Sequence, residues 1–149
     1  MRFRHAIATA VVAVTAWAVA SVAGHAGVTA AADPPGMSLS RAGLTAQGTL
    51  GTHCADGICV DMTSPPEPRG RLPVRRRARV RLVFTRPAES VEARLGRNEG
   101  RALQVERVTA TRWTVRLPRD LGSARLIDVF ATGTNWDASF WGGIRAGCG

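Results

Sequence analysis

Short segments in which apolar and polar residues alternate, cut by turn residues at intervals of about 8–12 positions, predict an all-β protein. The predicted fold is an immunoglobulin-like β-sandwich of about seven to eight antiparallel strands. Two further observations point the same way. An Asp-Gly turn joins two β-prone arms at Asp56-Gly57, a strong local signal for a hairpin. No amphipathic helix competes: the best helical window, Glu89 to Glu106, contains Gly96 and Gly100, each costing about 1 kcal/mol inside a helix.

The first 32 residues predict a signal peptide helix rather than a part of the fold. Arg2, Arg4 and His5 form a basic start, and Ala6 to Val22 carries no charge, the character of an export signal. Ala30-Ala31-Ala32 before Asp33 fits the small-residue cleavage pattern, and a site after Ala26 is its rival. An uncleaved anchor is the alternative, since the apolar run approaches spanning length. Cleavage after Ala32 leaves 117 residues with 18 arginines against 11 acidic side chains, a formal charge of +7. Lysine and tyrosine are both absent. Such a charge draws a protein to anionic surfaces. For an exported chain these are envelope polymer or lipid, and nucleic acid is the least expected of them.

Residues 33–47, rich in Ala, Gly, Pro and Ser, read as a flexible lead-in, with the sandwich domain occupying 48–149. The first arms run from Thr49 to Cys54 and from Ile58 to Met62. With Asp56 and Gly57 as a two-residue loop, Ala55 faces Ile58, and Cys54 faces Cys59 at the next, non-hydrogen-bonded position. Cα atoms there lie about 4.5 Å apart, inside the span a disulfide tolerates. An oxidising compartment favours that bridge. Cys148 is then left over, free or available for a disulfide-linked dimer. A metal site at His53, Cys54 and Cys59 lacks a second spaced pair of ligands, and neighbours on a strand point to opposite faces; no metal and no cofactor are expected.

Thr63 to Gly70 is turn-rich, and Leu72-Pro73-Val74 reads as a short edge strand. Val80, Leu82 and Phe84 share one face of the next strand, with Arg79 and Arg81 on the other. Val91, Ala93 and Leu95 share a face, Leu103 and Val105 follow, and Trp113, Val115 and Leu117 alternate with Thr114 and Arg116. Arg125 to Thr132 and Ala138 to Ile144 complete the set, flanking a turn at Gly133 to Asp137.

Leu50-Gly51-Thr52 leading into Cys54 and Cys59, then Leu72-Pro73-Val74 before an arginine-rich strand, and finally Asp137-Ala138-Ser139-Phe140, resemble small exported actinobacterial proteins of unknown function. The resemblance implies export and an immunoglobulin-like sandwich, and it names no site residue.

Signatures of catalysis are sparse. There is no Gly-x-Ser-x-Gly elbow, phosphate loop, dinucleotide fingerprint or calcium loop. His53 is the sole histidine after cleavage and would have to serve a small secreted hydrolase, the alternative to a non-catalytic protein. Asp56 with Asp61, and Glu89 with Glu92, have the spacing of solvated turn residues rather than of a glycosidase pair. The sharpest feature is basic: seven arginines fall between Arg69 and Arg81. Arg75, Arg77, Arg79 and Arg81 have the period of two that places them on one strand face, where guanidinium forks grip phosphate or carboxylate groups. The bland reading of the same run is a solvated outer face that discourages edge pairing. Phe140 and Trp141 point to opposite faces of the last strand, so one of them must be exposed or contact a partner. The sequence thus predicts a secreted or envelope-associated binding protein. A secreted inhibitor or effector presenting Thr63 to Gly70 to a protein partner is a further alternative.

Overall fold

A computed structural model describes residues 33–62, 64, 67–97 and 100–147. The expected signal peptide and Cys148 lie outside the described residues. Among the described residues twelve strands follow one another: β1 (Met37–Arg41), β2 (Leu44–Gln47), β3 (Thr49–Ala55), β4 (Ile58–Val60), β5 (Leu72–Val74), β6 (Arg79–Phe84), β7 (Ser90–Leu95), β8 (Arg101–Ala102), β9 (Gln104–Arg107), β10 (Arg112–Arg116), β11 (Leu126–Gly133) and β12 (Trp136–Ala146). They form two sheets. The first has the order β2-β1-β6-β10-β9; the second runs β4-β3-β12-β11-β7-β8, with β5 added in parallel beside the end of β12.

This is the immunoglobulin-like arrangement. The strands β1, β6, β10 and β9 stand in the order A-B-E-D, while β7, β11 and β12 supply C, F and G. With β8 next to β7, that frame holds eight strands; the predicted set instead included β3, β4 and β5 and lacked β1. The additional strands β2 to β5 lie between the first and second strands of the frame. Within this insert, β3 and β5 share one edge of β12, β3 antiparallel at Trp136 to Trp141 and β5 parallel at Ile144 to Ala146.

Each inward face follows from the alternation. Val80, Leu82 and Phe84 are buried from β6, Val91, Ala93 and Leu95 from β7, and Trp113, Val115 and Leu117 from β10 and its end. Phe84 of the first sheet meets Phe140 and Trp136 of the second, at centroid distances of 5.8 and 6.4 Å in tilted geometries, the arrangement aromatic quadrupoles favour. Gly142 lets β12 approach Leu39 closely, since a Cβ there would overlap the leucine side chain.

The expected lead-in over 33–47 needs correction. Residues 37–47 are β1 and β2, and β1 pairs with β6 from Met37 to Ser40. Met37 and Leu39 are buried, Leu39 against Gly142 of the opposite sheet. Their alternation with Ser38 and Ser40 supplies the apolar face that holds the segment in place.

The hairpin forms in the predicted register: Ala55 faces Ile58, Cys54 faces Cys59, and the two cysteines are bridged with Cα atoms 4.0 Å apart. Asp56 and Gly57 both take positive φ, 51° and 84°, as a type I′ turn requires. Two contacts tie the tip down. Asp56 N donates to Asn135 O at 2.9 Å, and Arg86 donates through two nitrogens to the Asp56 carboxylate at 3.1 and 3.3 Å.

Candidate functional site

Of the four arginines predicted to line one strand face, two do so. Arg79 and Arg81 lie on β6, exposed and two residues apart, which spaces their Cα atoms by about 6.8 Å. Arg75 and Arg77 do not continue the row. Because β5 belongs to the second sheet and β6 to the first, residues 75–78 must carry the chain from one to the other. They do so in a turn, with Ala78 N donating to Arg75 O and Arg77 N to Pro118 O. Arg77 takes φ 57° there, which reverses the chain and ends the period of two. Arg75 and Arg76 instead edge an open hollow of ≈ 510 Å³ with Asp120, Leu121 and Gly122.

The neighbouring strand replaces what the turn removes. Register places Arg116 opposite Arg79, Thr114 opposite Arg81 and Arg112 opposite Val83. The hydrogen bonds Leu117 N to Ala78 O and Phe84 N to Thr111 O make these three the non-hydrogen-bonded pairs of the ladder. Their side chains are therefore the closer set, with Cα atoms about 4.5 Å apart. Arg79 and Arg116 thus face each other at the shortest cross-strand distance a sheet offers. All four arginines are exposed, and none makes an ion pair among the described residues. Arg116 was legible in the sequence only as the polar neighbour of Val115; that it flanks the same face as Arg79 depends on β6 and β10 being adjacent.

Beside this row, Ser40, Arg41, Thr45, Arg79, Arg81 and Thr114 border an open hollow of ≈ 680 Å³. Its rim is the β1–β2 turn, where Ala42 and Gly43 both have positive φ, 48° and 78°, so that a two-residue loop suffices. Guanidinium donors interleaved with hydroxyls, as in the row Thr45, Ser40, Arg81 and Thr114, match a phosphate, which accepts at several oxygens.

The remaining candidates are placed elsewhere. His53 is half-buried on β3, its Nδ1 3.1 Å from Gly51 O of the same strand, so that one ring nitrogen is occupied by backbone. From the predicted presenting loop, Pro68 and Gly70 lie against Gly143 of β12, with Arg71 just beyond the loop beside them, while residues 63, 65 and 66 are outside the described set. Phe140 is fully buried, whereas Trp141 is half-buried on the outer face of β12, which resolves the choice between them.

These features define a small immunoglobulin-like sandwich with one strongly basic outer sheet face. The chain matches no protein family, no curated protein and no solved structure.

Proposed function

We infer that this is an exported, non-catalytic binding protein that holds phosphate-bearing cell-envelope polymer or lipid headgroups on the outer face of its first sheet. The observation that carries this reading is the Arg79–Arg116 pair. Like charges directly opposite one another weaken a sheet, and Glu106, diagonal to Arg116 across β9 and β10, offsets only part of the positive charge, so the face is suited to an anion that neutralises the rest. Arg81, Arg112 and the hydroxyls of Ser40 and Thr114 extend the same surface, and the N-terminal pattern supports export.

Co-sedimentation with phosphatidylglycerol vesicles and with isolated cell wall tests it, at about 50 mM and about 500 mM salt, a range over which Debye screening tightens severalfold. Four arginines at about 1 kcal/mol each predict roughly a 10³-fold loss of low-salt binding when Arg79, Arg81, Arg112 and Arg116 are replaced by Ser. The same net charge removed at Arg75, Arg76, Arg77 and Arg97 should cost far less. Vesicles and wall separate the two phosphate sources. Equal losses from both quadruple variants, or no binding to either material at low salt, would refute the assignment.

A further inference from the structure

The second sheet presents a different outer surface. Across β12, β11 and β7 its rows read Trp141, Asp128, Arg94 and then Ser139, Phe130, Glu92. Phe130 is 45% exposed, although β11 is an interior strand, flanked by β12 and β7. Trp141 lies diagonally from it, about 7–8 Å away by sheet geometry. The six-membered ring of Trp141 fills the space that a Cβ on Gly51 would need, so the indole is laid across β3. Gly51 sits at a bulge, where Gly51 and Thr52 together face Ser139. Beside the rings, Glu92, Arg94, Asp128, Phe130 and Ser139 line a shallow hollow of ≈ 120 Å³.

We propose that this face binds a neutral oligosaccharide, with the apolar C–H side of one pyranose ring on Phe130, its hydroxyls on Glu92, Arg94 and Ser139, and a neighbouring ring of the chain reaching the Trp141 indole over β3. The chemistry of the face selects the ligand. Aromatic rings present a negative π-face that attracts polarised C–H groups. A carboxylate accepts from hydroxyls, a guanidinium donates to them, and a serine does both. A purely apolar partner would bury the charge of Glu92 at a cost. A phosphate would be repelled by the carboxylates and has four arginines on the opposite sheet. Glu92 and Asp128 also offset Arg94, which makes this a patch without positive excess on a chain of formal charge +9.

The test is titration of the full chain with hexasaccharides of glucose, mannose, galactose and N-acetylglucosamine, followed by tryptophan fluorescence and saturation-transfer NMR. At least one should bind, equally at low and high salt. Phe130→Ala should weaken it roughly fivefold to tenfold, the size of an aromatic contact, and Gly51→Val should do the same by forcing the indole off β3. The variant with Ser at Arg79, Arg81, Arg112 and Arg116 should bind as the parent does. Phe130→Ala removes an exposed ring, so its unchanged unfolding temperature separates lost contact from lost fold. Failure of all four sugars at up to about 10 mM, or binding that survives Phe130→Ala, would overturn the proposal. Salt-sensitive self-association abolished by Glu92→Arg would overturn it too, by assigning the face to the arginine row of a second copy.

Discussion

Replacing Arg79 by Glu should make the protein more stable while weakening its hold on anionic surfaces. Arg79 and Arg116 form a non-hydrogen-bonded cross-strand pair, with Cβ atoms about 5 Å apart; two like charges held about 6 Å apart in water repel by about 0.7 kcal/mol. Reversing one sign turns that repulsion into attraction. Because both side chains are exposed, entropy and screening reduce the swing to about 0.5–1 kcal/mol at low ionic strength. For a domain of this size the unfolding temperature should rise by about 2–6 °C. Calorimetry at about 0.01 M and about 1 M salt reads the effect, since the Debye length falls from about 30 to about 3 Å between them. Arg116→Glu should give a smaller gain, because Glu106 lies diagonal to it across Gln104 and Thr114. The double variant decides the matter. With Glu at both positions the pair repels again, and the gain of either single variant should disappear. A double variant as stable as the better single one, or a gain that persists at about 1 M salt, would refute a direct interaction between these two residues.

Two further outcomes test the frame that carries both faces. Phe140→Ala removes a fully buried ring that touches Phe84 and should cost about 3–5 kcal/mol in denaturant unfolding. Replacing Cys54 and Cys59 by Ser opens a loop of six residues, for which chain entropy gives a loss of about 2 kcal/mol; hydrogen exchange should show the lost protection concentrated in β3 and β4.

Legibility in the sequence followed the range of the interactions. The hairpin was readable to the register because Asp56 and Gly57 determine it through backbone conformation alone. The buried faces of β6, β7 and β10 were equally plain, since each strand has a core on one side and water on the other. Residues 37–47 were misjudged because their Ala, Gly and Ser content obscured a four-residue alternation, Met37 to Ser40, that only pairing with β6 makes effective. The arginine face was half legible for a related reason. A period of two holds only while the chain remains in one strand, and nothing in Arg75 to Ala78 announces that the chain is crossing between sheets. Arg112 and Arg116 belong to the face through a strand neighbour some thirty positions away in sequence, which periodicity along one segment cannot reveal.

The placement of the arginines has an energetic consequence beyond their number. On a flexible tail, each would lose side-chain entropy on meeting a phosphate and would begin from a state free of repulsion. On β6 and β10 the backbone is already held by the ladder and by the core beneath it, so the charges are kept close before any ligand arrives. The unliganded face therefore carries a repulsion that a bridging anion removes, and binding includes that relief in addition to the new contacts. Polyphosphate, which can span Arg79 and Arg116 with adjacent groups, should consequently raise the unfolding temperature of the parent more than that of Arg79→Glu, by a margin that exceeds the loss of one contact. The two sheets can serve different chemistry for the same reason. The core between them holds each outer face independently, so a charge change on β6 leaves the geometry around Phe130 as it was.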